Sequence, residues 1–398
     1  MKIERISDLE RKYALESLEG QFASANNYKF VVRMEKAFAE RMGTNHAVGF
    51  VNGTATLHTA LEAAGVGYGD EVIVPPLTMS STCLSVLQAN AIPVFADVDE
   101  KTFLIDPADI ERKITERTKA IIPVALFGLM PDMDAIMAIA EKHNLTVIED
   151  DAQCFLGTYK GRLAGTIGHM ASFSFQASKH ITSGEGGVVT TNDDELALKL
   201  RRYSGLGYGS ISMKKARITK DDIQDPNYSR HVCLGWNYRM SDVAGAVALA
   251  QVERMDELVK FRKYCGKVFE EAVAGCDWLT PQYVPEECEH AYWAFVARLT
   301  HPDITWYDFR KKFMELGGDG IYAAWKINYL EPAFQEMNFV GREKLIKMVG
   351  DYSYEKGICP VAEMLQPQLL QFKTNYFDTD LVDAQAEILK KTIAFFNK

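Results

Sequence analysis

No run of apolar residues in this 398-residue sequence approaches the roughly eighteen that a membrane-spanning helix requires. The sequence also begins with charged residues, MKIERISDLERKY, and so lacks the apolar core of a signal peptide. Both absences argue against a membrane protein and against a secreted one. We therefore expect a cytoplasmic protein that has no membrane partner.

Cysteine and basic residues are also sparse. The seven cysteines are scattered, odd in number and show no C-x-x-C spacing, which predicts reduced thiols and neither a disulfide framework nor a metal site. Lysine and arginine total 44 against 54 acidic residues, so the formal net charge is −10. No basic block stands out, and nucleic acid is therefore not expected as a partner. Apolar residues at 47% and charged residues at 25% are typical of a globular protein.

Seven short apolar runs in the first half of the sequence alternate with amphipathic segments. One such segment, TATLHTALEAAG, places Leu57, Leu61 and Ala64 on one face of a helix. Strands that alternate with helices form crossover units, which predicts an α/β fold with a mostly parallel seven-stranded sheet and helices on both faces. The predicted strands are residues 47–51, 72–75, 93–96, 120–124, 146–150, 171–175 and 187–191.

The pattern changes in the second half of the sequence. A polar segment, residues 209–232, shows no helical or strand periodicity, and a long loop of this kind is more often functional than idle. One long helix or two successive helices follow it, and from about residue 276 strand-like and helical stretches mix. We therefore predict a large domain with N-terminal helices at residues 1–255 and a smaller α+β C-terminal domain at residues 256–398.

Three residues of the predicted sheet region form a pattern that points to a cofactor. Lys179 lies between an apolar strand and a glycine-rich turn, Gln153 precedes it by 26 positions, and Asp150 ends a strand. A lone lysine in such a place is usually a solvated charge. Pyridoxal phosphate, however, requires a lysine amine for its aldehyde, a carboxylate for its ring nitrogen and a polar group near its phenolic oxygen. The combination therefore predicts a pyridoxal-phosphate site at the carboxyl edge of the sheet.

A phosphate group has a predicted place at the start of the helix that follows the first strand. Gly53, Thr54 and Ala55 follow that strand, where unpaired amides and the helix dipole favour an anion. Gly53 lets the backbone approach closely, and Thr54 adds a hydroxyl group. Ser174, in the strand that precedes the lysine, offers a second hydroxyl. Taken alone, this stretch is also typical of an ordinary helix N-cap.

Several longer stretches carry a family resemblance. They are NGTATLHTALEAAGVGYGDEVIVPPLT, FGLMPDMDAI, TVIEDDAQ, GTYKGRLAGTIGHMASFSFQASKHITSGEGGVVTTND and GWNYRMSDVAGAVALAQ. Their order and spacing resemble the successive motifs of the DegT/DnrJ/EryC1/StrS sugar aminotransferase family, from about residue 20 to about residue 270. That family is a branch of the fold-type-I, aspartate aminotransferase-like enzymes. The resemblance implies pyridoxal 5'-phosphate as the cofactor, with pyridoxamine 5'-phosphate as its aminated form.

The resemblance also implies a role for each residue of the predicted site. Asp150 would meet the pyridine nitrogen, Gln153 would lie against the phenolic oxygen, and Lys179 would form the Schiff base. Lys179 would then act a second time, as the base that moves a proton once an amino donor has displaced it. The implied phosphate ligands are Gly53, Thr54 and Ser174.

Members of the family are typically homodimers whose active sites are shared between subunits. Asn237 in GWNYRM matches the position that reaches the partner's phosphate, and Arg239 is a substrate candidate. Without the resemblance, N-Y-R-M would equally fit a helix N-terminus with a solvated arginine.

The sequence departs from the family pattern in three places. Met79 follows Thr78 where the family usually has an aromatic ring against the cofactor; a thioether also packs on aromatic faces. His180 follows the lysine where asparagine is common. In the C-terminal part, GGDGIYAAWKINYLEPAF replaces a segment that usually carries a histidine near the sugar. Its substrate candidates, which would also suit an ordinary packed interface, are Trp325, Lys326 and Tyr329.

The residues and the resemblance together favour an aminotransferase. The resemblance implies glutamate as the amino donor and a nucleotide-linked keto-sugar as the acceptor, in a ping-pong mechanism. A free keto-sugar acid or an inosose is the alternative acceptor. A sugar dehydratase of the same family is a second hypothesis, but such enzymes carry histidine in place of Lys179. A non-catalytic relative would not need the intact site. A nicotinamide dehydrogenase is disfavoured because GLGYGS, residues 205–210, follows a helix rather than the first strand.

Overall fold

The structure, a computed structural model, describes residues 2–20, 29–212 and 220–397. In these residues it contains fifteen α-helices and fourteen β-strands, numbered here in chain order. The helices are α1 (Asp8–Glu19), α2 (Lys29–Met42), α3 (Gly53–Ala63), α4 (Ser81–Gln88), α5 (Pro107–Lys113), α6 (Met133–His143), α7 (Asp194–Ser204), α8 (Lys220–Gln224), α9 (Asp242–Glu253), α10 (Met255–Val273), α11 (Trp306–Glu315), α12 (Pro332–Gln335), α13 (Arg342–Val349), α14 (Pro360–Leu365) and α15 (Thr379–Phe396). The strands are β1 (His46–Phe50), β2 (Glu71–Val74), β3 (Ile92–Phe95), β4 (Thr118–Ile121), β5 (Thr146–Asp150), β6 (Thr158–Tyr159), β7 (Arg162–Leu163), β8 (Met170–Ser174), β9 (Gly187–Thr191), β10 (Leu279–Pro281), β11 (Cys288–Glu289), β12 (Ala294–Leu299), β13 (Tyr322–Ala323) and β14 (Leu369–Lys373).

The largest sheet has seven strands in the order β1-β9-β8-β5-β4-β2-β3. Neighbouring strands in it run parallel, except that β9 is antiparallel to both β1 and β8. Each of the seven predicted runs overlaps one of these strands. The predicted mostly parallel seven-stranded sheet of the fold-type-I class is therefore confirmed.

Helices cover both faces of this sheet, because successive strand residues point to opposite sides. In β9, Val189 belongs to a hydrophobic cluster with Leu57 of α3. Its neighbour Val188 belongs to a different cluster, with Phe38 of α2 and Leu249 of α9. Each such buried side chain stabilises the fold by about 1.5–3 kcal/mol. The sheet is thus held between two helical layers, which leaves its strand ends as the open edges.

The functional residues meet at one of these edges. Strands β1, β5 and β8 run in the same direction. Strands β5 and β8 are parallel, and β1 and β8 share a direction because each is antiparallel to β9. Gly53 follows β1 closely, Asp150 is the last residue of β5, and Ser174 is the last residue of β8. Open α/β sheets bind ligands at this edge.

The C-terminal part of the chain forms a second, antiparallel sheet in the order β10-β12-β14-β13. Helices α10, α11 and α15 pack on it around a separate hydrophobic cluster that includes Phe269, Phe295 and Phe372. These elements coincide with the predicted mixture of strands and helices. Helix α10 begins at Met255, and the domain division at residue 255 remains a prediction.

The polar segment at residues 209–232 contains the short helix α8, where no periodicity predicted a helix. A helix of five residues makes little more than one turn, so it has too few positions to show a 3.6-residue period. Residues 213–219 of this segment lie outside the described residues.

Two structural features are absent from the described residues. None of their helices is both long and apolar enough to cross a membrane. Within the same ranges, no group of three or more histidine, cysteine or acidic side chains is placed to hold a metal ion.

One buried aspartate, Asp242 of α9, joins that helix to the first two helices of the chain. Asp242, the first residue of α9, accepts hydrogen bonds on Oδ1 from the amides of Phe30 and Val31, at 2.9 and 3.3 Å. These amides lie in the first turn of α2, where no helical carbonyl can accept from them. The other oxygen of Asp242 accepts from the hydroxyl of Ser17 in α1, at 3.3 Å. A carboxylate from a distant segment therefore caps α2.

We expect Asp242→Ala to destabilise the protein by about 1–3 kcal/mol, because two buried amides would lose their acceptor. The measurement is urea denaturation followed by circular dichroism. Asp256→Ala is the matched control, since Asp256 is an exposed partner of Arg41, and such pairs contribute about 1 kcal/mol or less. Equal shifts of the urea midpoint in the two variants would contradict the capping role.

Candidate active site

A cavity of about 580 Å³ opens at the carboxyl edge of the large sheet. It gathers residues that lie up to 273 positions apart, from Asn52 to Trp325 (325 − 52 = 273). Eight of the residues predicted from the sequence line it: Gly53, Thr54, Met79, Asp150, Gln153, Ser174, Lys179 and Trp325.

Lys179 is buried in the loop that follows β8, and its backbone amide donates to the carbonyl of Gln176 at 2.9 Å, which closes a turn. Its Nζ lies 4.9 Å from the centre of the Trp293 indole ring. Burial lowers the pKa of Lys179 to about 8, and the positive charge of Arg262 acts in the same direction, while Asp150 opposes both. The amine therefore loses its proton about two pH units below an ordinary lysine.

Asp150 is the last residue of β5, and its carboxyl group is fixed from two sides. Oδ2 accepts from the hydroxyl of Thr82 at 2.8 Å, and Oδ1 accepts from the amide of Ala152 at 3.3 Å. Burial raises the pKa of Asp150, while these two hydrogen bonds and the charge of Lys179 lower it. A cation brought into the cavity would favour the ionised form further.

The two acids beside Asp150 point elsewhere, as strand alternation predicts. The carboxylate of Glu149 accepts from three amides of one loop, those of Gly165, Ile167 and Gly168, at 3.1, 2.8 and 2.6 Å. Asp151 is buried, and burial together with its acidic neighbours raises its pKa well above the usual value. Asp150 is therefore the acid of this group that faces the cavity.

Gln153 has one end of its amide fixed. Its Oε1 accepts from the backbone amide of Phe127 at 2.7 Å, so the oxygen must lie on that side. Phe127 adopts a positive φ of 63°, a conformation that is uncommon for a residue other than glycine. The NH₂ group of Gln153 is consequently the end that can donate to a bound molecule.

Three aromatic rings form a stack along one side of the cavity. Trp325 lies almost parallel to Phe127, with ring centres 6.5 Å apart, and to Trp293, with ring centres 5.7 Å apart. Trp293 and Trp325 both line the cavity. Such a flat apolar wall suits the face of a ring-shaped ligand.

The start of α3 has the predicted form of an anion site. Asn52 caps the helix, and its side-chain oxygen accepts from the amide of Ala55 at 2.9 Å. Ala55 lies outside the cavity lining, whereas Gly53 and Thr54 lie in it. A side chain at Gly53 would place its Cβ 2.8 Å from the Cβ of Ser174, so only glycine lets the two elements approach this closely.

Three of the predicted substrate residues lie away from the cavity lining. His180 is buried; its Nε2 is 2.9 Å from the carbonyl of Ala291, and burial lowers its pKa well below the usual value. Tyr329 is fully buried, its ring packs on Phe95, and its hydroxyl group donates to Glu363. Lys326 is exposed.

Asn237 and Arg239 lie in an extended segment before α9, and neither lines the cavity of this chain. The rings of Trp236 and Tyr238 stack on each other, 5.9 Å apart, and both pack on His58 of α3. Asn237 stands between them in sequence and is exposed.

The sequence did not reveal several residues of the lining. Trp293 is 114 positions beyond Lys179 (293 − 179 = 114) and precedes an apolar strand, a pattern that does not distinguish it from a packed residue. The unpredicted polar lining residues are Thr78, Ser81, Gln176, Ser178 and Glu185. Thr82, the partner of Asp150 outside the lining, had a signal: serine and threonine cluster after the second predicted strand, at the edge where ligands bind.

The sequence was compared with known families and proteins. The model of the DegT/DnrJ/EryC1/StrS aminotransferase family matches residues 4–345. GDP-perosamine synthase of Caulobacter vibrioides is 42% identical over 297 residues, which cover 74% of this chain and 76% of that protein. L-glutamine:2-deoxy-scyllo-inosose aminotransferase of Micromonospora echinospora is 36% identical over 315 residues, covering 77% and 74%. Among solved structures, an aminotransferase from Psychrobacter cryohalolentis superposes with a TM-score of 0.84, at 29% identity and 99% and 98% coverage.

We expect Gly53→Ala to weaken binding of pyridoxal phosphate about tenfold or more, because the added Cβ would press on Ser174 and overpacking costs about 1–3 kcal/mol. The measurement is the dissociation constant for pyridoxal phosphate, from spectroscopic titration of the cofactor-free protein. Gly67→Ala is the matched control, since its Cβ would have no neighbour within 4 Å. An unchanged constant in Gly53→Ala would rule out the close approach as part of the binding site.

Proposed function

Because the chain belongs to the DegT/DnrJ/EryC1/StrS aminotransferase family, we propose that it moves an amino group from glutamate to a nucleotide-linked keto-sugar in a ping-pong cycle. The chain is a pyridoxal-phosphate-dependent sugar aminotransferase, so the predicted enzyme class and cofactor are confirmed. We propose, beyond this, the amino donor, the acceptor and the roles of individual residues. The observation that carries it is the convergence of Lys179, Asp150 and Gln153 on one cavity.

The residues of the cavity fit pyridoxal phosphate in their chemistry. Asp150 supplies a buried carboxyl group, Gln153 supplies an amide donor, and Lys179 supplies an amine with a pKa of about 8. The first turn of α3 supplies backbone amides to a phosphate, and Ser174 adds a hydroxyl group within reach of Gly53. The exposed thioether of Met79 lines the same cavity and offers a polarizable surface to a ring.

Pyridoxal phosphate, when bound, supplies an aldehyde that condenses with amines and a ring that withdraws electrons from the carbon beside the nitrogen. Asp150 holds a proton at the ring nitrogen, since its carboxylate is fixed by Thr82 and desolvated. Lys179 accepts and returns a proton at Nζ, which is effective because its pKa of about 8 lies near working pH. Gln153 donates from Nε2 to the phenolic oxygen. Gly53 and Thr54 bind the phosphate with their amides.

The acceptor is proposed from the relatives and from the aromatic wall. The Caulobacter relative is named for a GDP-linked amino sugar, and the Micromonospora relative for an inosose. Both acceptors are cyclic, and the aromatic residues Trp293 and Trp325 line the cavity that either ring would enter. We favour the nucleotide-linked sugar because the Caulobacter GDP-perosamine synthase is 42% identical over 74% of the chain, against 40% over 65% and 36% over 77% for two inosose aminotransferases.

The position of His180 supports transamination over dehydration. A dehydratase of this family would carry histidine in place of Lys179. His180 is the neighbouring residue, but it is buried against the carbonyl of Ala291 and outside the cavity lining. It therefore cannot take over the place of the lysine without a rearrangement of the loop.

We expect the purified protein to be yellow and glutamate to bleach the visible band as the cofactor becomes pyridoxamine phosphate. A nucleotide-linked keto-sugar should then restore the band, whereas an inosose should do so slowly. Absorbance spectroscopy of each half-reaction is the measurement. Lys179→Ala is the control variant: it should slow both half-reactions by about 10²-fold or more, since the proton carrier is lost. If neither glutamate nor glutamine bleaches the band, the proposed amino donor is wrong.

A shared active site is the remaining part of the proposal. The rings of Trp236 and Tyr238 pack inward on α3, so Asn237 between them is turned outward and exposed. An exposed asparagine beside the site of its own chain has the placement needed to serve the cofactor phosphate of a second subunit. We therefore propose a homodimer in which Asn237 crosses the interface.

Mixed dimers test this arrangement. Lys179→Ala and Asn237→Asp should each be weakly active, but a 1:1 mixture refolded together should regain about a quarter of the wild-type activity. Half of the dimers would be mixed, and one of their two sites would combine an intact Lys179 with an intact Asn237. Recovery is measured as the turnover rate per total subunit concentration. Each variant refolded alone is the control. A mixture no more active than the mean of its components would exclude sharing.

A further inference from the structure

The loop that carries Lys179 is held by side chains from three distant segments. Three successive backbone carbonyls accept hydrogen bonds, those of Ala177, Ser178 and Lys179. Arg5 donates to the first of them. The indole of Trp293 donates to the carbonyl of Ser178 at 3.0 Å. Most hydrogen bonds in proteins join two backbone groups, so these three adjacent carbonyls are unusual in being held by side chains of distant segments. We call this arrangement the clamp.

Arg262 of α10 makes the largest contribution to the clamp. Its Nη2 donates to the carbonyls of Ser178 and Lys179, at 2.8 and 3.0 Å. Its Nη1 donates to the carbonyl of Trp293 and to the hydroxyl of Thr374, at 3.0 and 3.2 Å. The guanidinium group thus fastens the lysine loop to the residues that adjoin β12 and β14.

Arg262 is also a buried positive charge, 4% exposed. Among the described residues, its hydrogen-bond acceptors are three backbone carbonyls and one hydroxyl group, and none is a carboxylate. All of its acceptors named above are neutral. A buried cation that is not neutralised raises the electrostatic potential around it, and so disfavours a second positive charge nearby.

We propose that Arg262 is the positioning residue for Lys179, which fixes the loop so that Nζ faces the cavity and keeps the amine in its neutral, nucleophilic form. This inference rests on the proposed function, in which Lys179 holds the cofactor. Arg262 itself does not line the cavity, so it acts on the chemistry through the lysine.

The charges around Lys179 come from several elements and act in both directions. Asp150 of β5 and Glu185 of the turn before β9 stabilise the protonated amine. Arg262 destabilises it, and burial destabilises it most. Arg5 lies close enough to Arg262 to lower its pKa, and His180 is neutral because burial and Arg262 lower its pKa. Arg262 is therefore the charged group whose removal would let Lys179 retain its proton to higher pH.

The test is covalent capture of pyridoxal phosphate by the full-length, cofactor-free protein. Capture is stopped with borohydride at a series of pH values and measured by mass spectrometry of the peptide that contains Lys179. In the wild type we expect the rate to rise with an apparent pKa of about 8. In Arg262→Met the midpoint should move upward by about one pH unit or more, which slows capture at pH 7 about tenfold.

Arg262→Lys should restore a midpoint near that of the wild type, because it keeps the charge. It has fewer donors, so amide exchange in residues 178–180 should be faster than in the wild type. Arg201→Met is the matched control: Arg201 is a partly buried arginine bound to Glu35 and to the carbonyl of Ala47, away from the carbonyls of the lysine loop. Its loss should lower the melting temperature without moving the pH midpoint.

A folded Arg262→Met protein with the wild-type pH midpoint would overturn the inference, as would an equal shift in Arg201→Met. If Arg262→Met does not fold, Arg262→Gln replaces it and is read in the same way, since glutamine keeps a donor and lacks the charge. Failure of the wild type to be labelled on Lys179 would instead overturn the proposed function, so the two failures are distinct.

Discussion

The parallel alignment of β1, β5 and β8 is the constraint on which the site depends. Parallel strands end at the same edge, so three segments that are far apart in sequence deliver their following residues to one place. The start of α3 brings free amides, β5 brings the carboxyl group of Asp150, and the loop after β8 brings Lys179. A shift of β5 by one residue would turn Asp150 away and Glu149 toward the cavity. The three amides bound by Glu149 oppose such a shift, since it would leave them without acceptors.

A second constraint is the burial of charge at that edge. Desolvation drives the pKa of Lys179 down and that of Asp150 up, so each group approaches its neutral form, while their mutual attraction limits both effects. The free-energy difference between the protonated and deprotonated forms of Lys179 is therefore small near neutral pH. A residue that accepts and returns a proton requires this. Glu149 and Asp151, the two neighbouring acids, do not face the cavity and have other surroundings. Glu149 is satisfied by backbone amides, and burial beside other acids raises the pKa of Asp151 strongly.

The sequence was sufficient for the sheet and for the central chemistry, because both are encoded locally. Each strand is a short apolar run, and Asp150 and Lys179 stand directly at strand ends. The surroundings of the lysine were not predictable in this way. Arg262 lies on an amphipathic helix and Trp293 beside an apolar strand, and both patterns indicate only packing. Their role arises from the way the C-terminal sheet docks on the large one. For the same reason, Tyr329 was a substrate candidate, although its ring is fully buried against Phe95.

The clamp on the lysine loop has a consequence for the order of assembly. The seven strands and the start of α3 are complete by residue 191, but two of the three side chains that fix the loop belong to residues 262 and 293. During synthesis the sheet can therefore fold before the lysine is positioned. A nascent or truncated chain would present the phosphate-binding edge with the reactive amine still unrestrained. Covalent retention of pyridoxal phosphate would then report that the whole polypeptide, and not the large sheet alone, has reached its native arrangement.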